Sequence, residues 1–201
     1  MPWKYSHPDL KAPLVGLLQK YRDVLALPGE SLGATNKAEH HINMKENTLP
    51  VYIPAYRLPH SQRKIVDEQV QEMLREGIIQ PSRSPWSSPL FLVPKRDGQF
   101  RPMIDYRKVN EQTKDERYPL PVLKDLLMSL GQGNKIFSSL DLLSGYWQVP
   151  MAPESREITA FSTPNAHYEF LMMPFGLKSA PITFQRMINV WYDRQECLCI
   201  P

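Results

Sequence analysis

Cysteine is nearly absent. The chain of 201 residues holds two, Cys197 and Cys199, one residue apart and poorly placed to bridge each other. A disulfide framework is excluded, and so is the four-ligand spacing of a structural zinc site. No apolar run approaches the roughly 20 residues that cross a bilayer. The opening MPWKYSHPDLK lacks the apolar centre of a secretory signal. Internal repeats and low-complexity tracts are missing too. Charge of one sign is in only slight excess, at net +3, so the total says little about partners. These gaps lead us to expect an intracellular protein, in the cytoplasm before the nucleus, with no membrane partner.

What is present supports a folded domain. Hydrophobic residues make up 42% and charged residues 22%, close to globular averages. The 20 prolines are twice the usual share of about 5% and break the chain into short elements. Residues 9–26 read as a helix, with Leu14, Leu17, Leu18, Tyr21 and Leu25 recurring at helical spacing and Pro13 in the first turn. A polar, mostly irregular stretch follows, with a strand around His40–Met44. His40-His41 could suggest a metal site, but no further ligand follows at useful spacing, and a surface pair is expected.

Ser61 to Glu76 forms an amphipathic pattern with Ile65, Val66, Val70, Met73 and Leu74 on one face. Ser61 is placed to cap it and Gly77 to close it. LFLVPKRDGQFRPMIDY reads as a hairpin turning at Asp97-Gly98. Further helices are expected over 121–130 and 179–191, a strand over 135–142, and a second hairpin in EITAFSTPNAHYEFLMMPFG turning at Pro164-Asn165. Interleaved strands and helices predict an α+β fold, an antiparallel sheet with helices on one face.

Two features bear on chemistry. From Lys95 to Lys108 lie five cations (Lys95, Arg96, Arg101, Arg107, Lys108) and two anions (Asp97, Asp105). That patch is either a surface for phosphates or the ordinary charge of a solvated hairpin. The second feature is Asp141, a lone carboxylate in the apolar and aromatic KIFSSLDLLSGYWQVPM. It is either a cap or turn residue past a strand end, or a ligand for Mg²⁺, which favours carboxylates and phosphate oxygens.

IFSSLDLLSGYWQVPM, LVPKRDGQFRPMIDYRKVN and LMMPFGLKSAPITFQRMIN, with REGIIQPSRSPWSSPLFLVPKRDG before them, resemble the reverse transcriptase of gypsy-type long-terminal-repeat retrotransposons, an RNA-directed DNA polymerase. The resemblance runs from about His40 to Asn189. It implies the fingers and part of the palm of a right-hand polymerase. It also implies Mg²⁺ or Mn²⁺ as cofactor, with deoxynucleoside triphosphates and a primed RNA or DNA template as partners. On that resemblance Asp141 matches the first metal-binding aspartate, and the carbonyl of Leu142 a second metal contact. Tyr146 matches the residue that discriminates deoxyribose from ribose. Lys95 and Arg101 match cations that hold the triphosphate. Phe175 matches a residue beside the incoming nucleotide, and its alternative role is packing. Asp105, Arg107 and Asn110 would support the hairpin and meet the template, though Arg107 has pairing with Asp105 as its simpler role.

The sequence departs from that family at one point. Two metal ions need more than one carboxylate, and the family supplies an adjacent aspartate pair in a Tyr-x-Asp-Asp hairpin. These 201 residues contain no Asp-Asp; Tyr192-Asp193 is followed by Arg194. The expected organisation is an N-terminal helix and linker-like segment (1–39), a partial reverse transcriptase domain (40–189) and an unrelated tail (190–201). The expected behaviour is a polymerase homologue inactive on its own, with a downstream polymerase fragment as a conceivable partner. The alternatives are a non-catalytic nucleic-acid-binding remnant and a degenerate fragment without selected function.

Overall fold

The structure is a computed structural model, and it describes residues 11–26, 30, 33–94, 98, 100–119, 128 and 141–194. The expected helix over 121–130, the strand at 135–140, Lys95 and the residues past 194 lie outside the described residues. The chain divides into two units, Met1–Leu32 and Gly33–Pro201. The first holds α1 (Lys11–Lys20), then a 3₁₀ turn over Arg22–Val24. Arg22 fastens that turn by donating to the Leu25 carbonyl at 2.7 Å and pairing with Glu30 at 2.5 Å.

The second unit is built on a five-stranded sheet. Its strands are β1 (Ile79–Pro81), β2 (Ser88–Pro94), β3 (Phe100–Ile104), β4 (Phe161–Ser162) and β5 (His167–Phe170), in the spatial order β1-β5-β4-β2-β3. The α+β class is as expected. One pairing, β2 with β4, is parallel, so the sheet is mixed rather than wholly antiparallel. The β2–β3 hairpin aligns Leu90 with Ile104 and Pro94 with Phe100, a register that leaves five residues, 95–99, between the strands instead of the even count of a two-residue Asp97-Gly98 turn. Gly98 takes a positive φ of 80° within that stretch.

Proline placement follows the hydrogen-bond arithmetic. Pro89, on central strand β2, falls where that strand changes partner from β4 to β3. Its carbonyl still accepts from the Asp105 N–H at 2.9 Å. Pro81 and Pro102 lie on the two edge strands, where a missing donor costs the ladder least.

Helix α2 (His60–Arg75) buries Val66, Val70 and Met73 against the sheet residues Ile79, Leu90, Ile104, Phe161 and Phe170. Fully burying a side chain of this size contributes about 1.5–3 kcal/mol. Its start corrects the expected cap. Pro59 occupies the N-cap position without a side-chain bond, its carbonyl accepts from Gln62 and Arg63, and Ser61 lies inside the first turn. The end is as expected. Gly77, at φ 68°, donates to the Leu74 carbonyl at 3.2 Å, and Ile78 donates to Met73 at 2.9 Å, the paired bonds of a glycine-closed helix.

Helix α3 (Arg107–Gln112) follows β3. The second hairpin is shorter than expected. Pro153 starts a helical turn, α4 (Pro153–Arg156), which runs into a 3₁₀ turn over Glu157–Thr159. Strand begins only at Phe161. The Thr163 N–H donates to Ala166 at 2.9 Å and closes the turn around Pro164-Asn165. Helix α5 (Ala180–Arg194) has Pro181 in its first turn, and its Phe184 and Met187 rest against the core.

The segment before α2, irregular as expected, is a seam tied to the rest of its unit. Its backbone bonds Thr35 to Gln148, His40 to Pro150 and Ala152, Lys45 to Gln112, and Ile53 to Ser87, all between 2.7 and 3.0 Å. The strand expected at His40–Met44 is reduced to isolated bridges with Met151 and Thr113. His40-His41 is not a surface pair. His40 is fully buried, its Nδ1 2.8 Å from Thr183 Oγ1 and its Nε2 3.4 Å from Ser179 Oγ. Burial lowers its pKa to about 4. His41 is exposed, beside Glu154 at 2.9 Å.

Candidate functional site

Asp141 and Leu142 lie in irregular backbone at the head of a tight turn. Ser144 adopts a left-handed conformation (φ 46°, ψ 44°), and Gly145–Gln148 forms one 3₁₀ turn. Trp147 N–H donates to Ser144 at 2.8 Å, and the Gln148 amide reaches back to the Leu143 carbonyl at 2.9 Å. Gly145 is required by close approach. A Cβ there would stand 2.9 Å from Cζ of Phe184 and 3.1 Å from its Cε2.

The expectation of a carboxylate in apolar surroundings is corrected. Asp141 is exposed, and Leu142 and Leu143 are about half exposed at 49% and 51%. Among the described residues the Asp141 carboxylate has no hydrogen-bond or ion-pair partner. It therefore makes no capping bond to the turn it precedes.

Behind the turn stands an aromatic cluster. Tyr146 stacks on Phe175 with centroids 4.9 Å apart and planes 21° apart, and meets Phe184 at 5.2 Å. Trp147 sets its edge against Phe175 at 6.2 Å. Partial burial raises the Tyr146 phenol pKa. Phe184 and Trp147 complete the cluster. Phe184 falls within the helix expected over 179–191, and helical periodicity cannot show which ring it meets.

A second group gathers around α3. Asp105 Oδ1 accepts from Arg107 Nε at 2.9 Å, and Oδ2 accepts from Arg107 Nη2 at 2.7 Å. The Tyr56 hydroxyl donates to Oδ2 as well, at 3.1 Å. The Arg107 bonds hold the Asp105 carboxyl down at about 2, and the same pairing raises Arg107. Asp105 is mostly covered, whereas the Arg107 side chain is 82% exposed. Asn110 bridges to the loop bearing Phe175. Its Nδ2 donates to the Gly176 carbonyl at 2.8 Å, and its Oδ1 accepts from Lys178 N–H at 2.8 Å. Gly176 turns that loop at φ 94°. Lys178 pairs with Asp115, and Arg186 with Glu116.

The fold thus brings Tyr146 and Phe175 together and ties Asn110 to the Phe175 loop. Arg101 is exposed on edge strand β3 opposite Val93. Among the described residues no group of three or more His, Cys, Asp or Glu side chains could enclose a metal ion. Asp141 and the Leu142 carbonyl are hard oxygen donors, right in kind for Mg²⁺ or Mn²⁺ and short in number.

The family described as "Reverse transcriptase (RNA-dependent DNA polymerase)" matches residues 93–197, and the chain belongs to it. It is homologous to the Pol polyproteins of gypsy-type retrotransposons. The retrovirus-related Pol polyprotein from transposon 297 of Drosophila melanogaster is 44% identical over 181 residues, covering 88% of this chain and 17% of that protein. The one from transposon 412 of the same organism is 40% identical over 200 residues, covering 96% and 16%. The chain therefore spans about a sixth of the length of these relatives.

Among solved structures, the prototype foamy virus protease–reverse transcriptase aligns with a TM-score of 0.79 at 24% identity, over 95% of this chain and 26% of that one. A foamy viral protease–reverse transcriptase in complex with an RNA/DNA hybrid aligns with a TM-score of 0.79 at 21% identity, over 94% and 25%. These likenesses establish the reverse transcriptase fold.

Proposed function

We propose that these residues are the fingers and the front of the palm of an RNA-directed DNA polymerase. In that role they position a primed RNA or DNA template and a deoxynucleoside triphosphate. The observation that carries the reading is the Tyr146–Phe175 stack on the turn that follows Asp141, with Asn110 bonded to the Phe175 loop at Gly176. Asp141 and the Leu142 carbonyl would be two ligands of a Mg²⁺ or Mn²⁺ ion. When bound, that ion neutralises charge on the triphosphate.

Tyr146, pressed from two sides by Phe175 and Phe184, forms a wall that an added ribose hydroxyl would have to displace. Lys95 and Arg101 are the triphosphate cations, acting as preorganised positive charge at the developing negative charge. Arg107 presents its guanidinium outward to the template phosphates, with Asp105 and Asn110 as the struts that hold it and the neighbouring loop.

Among the described residues Asp141 is the one acid we assign to this site, where two metal ions need several. We assign the further carboxylates to chain outside these residues, and expect the 201-residue protein alone to be inactive. The test is primer extension by the purified protein in Mg²⁺ or Mn²⁺. No incorporation is expected. Incorporation that vanishes in Asp141→Ala would overturn the incomplete-site reading.

A second reading, a nucleic-acid-binding module without chemistry, is favoured by the outward Arg101 and Arg107. It expects affinity for a primer–template that falls steeply with salt as counterions are released. Binding indifferent to salt would end it. A degenerate, aggregating fragment is the least supported reading, because both edge strands carry a proline that blunts edge-to-edge pairing.

A further inference from the structure

We propose that buried His40 is a positioning residue for the sugar side of the nucleotide site: it sets the spacing of Tyr146, Phe175 and Phe184, and through them the preference for deoxyribose over ribose. This rests on the reading of Tyr146 given above.

The three rings stand on three different pieces of chain. Tyr146 is on the 3₁₀ turn, Phe175 on the loop behind it and Phe184 on α5. His40 is tied to all three pieces. Its N–H donates to the Pro150 carbonyl at 2.9 Å, and its own carbonyl accepts from Ala152 N–H at 3.0 Å. Those bonds hold one edge of residues 149–152, the stretch that leaves the turn. The other edge leads to Phe175: Met151 N–H donates to Leu171 and Met173 N–H to Val149, both at 2.8 Å. The imidazole then reaches the start of α5. Its Nδ1 lies 2.8 Å from Thr183 Oγ1, and its Nε2 3.4 Å from Ser179 Oγ. Thr183 is the residue before Phe184.

Space filling does not explain the residue type. His40 is fully buried, and a buried polar ring costs stability unless its nitrogens are bonded. A leucine would fill the space without that cost, but it has no direction. A neutral imidazole has one N–H and one lone pair, and here each nitrogen faces a hydroxyl at the start of α5. A satisfied buried polar contact selects one arrangement where apolar packing tolerates several. Slackening it lets α5 slide against the turn, and Phe184 then meets Tyr146 at a different spacing.

The test uses the 201-residue protein with isotope-labelled tyrosine rings. The Tyr146 resonance is assigned by its loss in Tyr146→Phe, and dATP or ATP is titrated in Mn²⁺ while the spectra are followed. The parent should bind dATP more tightly than ATP. Thr183→Val keeps the shape of the side chain and removes its hydroxyl. It should shift the Tyr146 resonance and cut the preference for dATP by about threefold to tenfold. His40→Leu should do at least as much. His40→Asn, whose amide can stand where Nδ1 stands, should restore part of both. Val66→Ala, which empties a core position on α2 far from these bonds in the chain, controls for general loosening and should change neither readout.

If Thr183→Val and His40→Leu leave the resonance and the preference as in the parent, this inference falls and the Tyr146 reading stands. The same holds if Val66→Ala moves both as much. If the parent binds dATP and ATP equally, or neither, the Tyr146 reading itself falls, and this inference with it. Thr183→Val exchanges one oxygen for a methyl group, so loss of folding does not confuse the result.

Discussion

The Asp105–Asn110 segment and the Asp141–Gln148 turn carry proposed contacts to the same substrate complex, yet they are built in opposite ways. In the first, nearly every polar group has a partner within the chain. Asp105 is bound by Arg107 and Tyr56, Tyr106 donates from the core to the Thr159 carbonyl at 2.7 Å, and Asn110 closes on Gly176 and Lys178. In the second, the Asp141 carboxylate has no partner among the described residues and two leucines stand half exposed. The turn closes on its own Ser144 and Leu143 carbonyls, and the aromatic rings stack behind it. The difference teaches that the proposed template side satisfies its polar groups internally, whereas the proposed nucleotide side leaves its carboxylate exposed.

Tyr106→Ala should break the finished side most severely. It empties a site that is 2% exposed and leaves the Thr159 carbonyl unpaired, for a loss of about 3–5 kcal/mol in denaturant unfolding. Acid should act next, through the exit of the turn, where His40 is bonded to Pro150 and Ala152. The imidazole is held neutral, at about 4 in the fold against 6.5 when unfolded. The unfolded chain therefore binds the extra proton between those values, and stability falls as pH drops through that window. It is fully present above 6.5. The loss is about 3 kcal/mol, read from unfolding midpoints between pH 7 and 4. A His40→Gln variant should lack that component, and an identical pH profile in it would remove His40 as the cause.

Gly145→Ala should cost about 1–3 kcal/mol by overpacking. Because the clash is with Phe184, combining it with Phe184→Leu should cost less than the sum of the two. Additivity would separate the turn from α5. Asn110→Ala should lose about 1 kcal/mol, since water can replace the exposed bonds. Asp141→Ala should change stability by less than about 0.5 kcal/mol. A loss above about 1 kcal/mol would make the carboxylate a structural cap and erase the contrast.

Local signals carried much of this architecture. Asp97-Gly98 between apolar runs located the first hairpin, and Gly77 marked the end of α2, because both depend on backbone conformations few residues adopt. Glu157–Thr159 misled. Its β-branched Ile158 and Thr159 read as strand, but Pro153 had already started a helical turn. The parallel β2–β4 pairing joins residues 88–89 to 161–162, a contact that no local pattern announces. His40 looked like surface for the same reason, since its partners Thr183 and Ser179 are about 140 residues away in the chain. At the site, the motif residues were legible and their struts were not. Tyr56 lies in a stretch without periodicity, and Phe184 was visible only as an apolar helix position.

The near-contact between Gly145 and the ring of Phe184 has one more consequence. A loop normally wanders, and a residue on it inherits that freedom. Here the bend rests on the Phe184 ring of a helix of four turns, with no side chain of its own at Gly145 to hold it off. Tyr146 therefore moves as α5 moves, and a loop position acquires the stiffness of a rod.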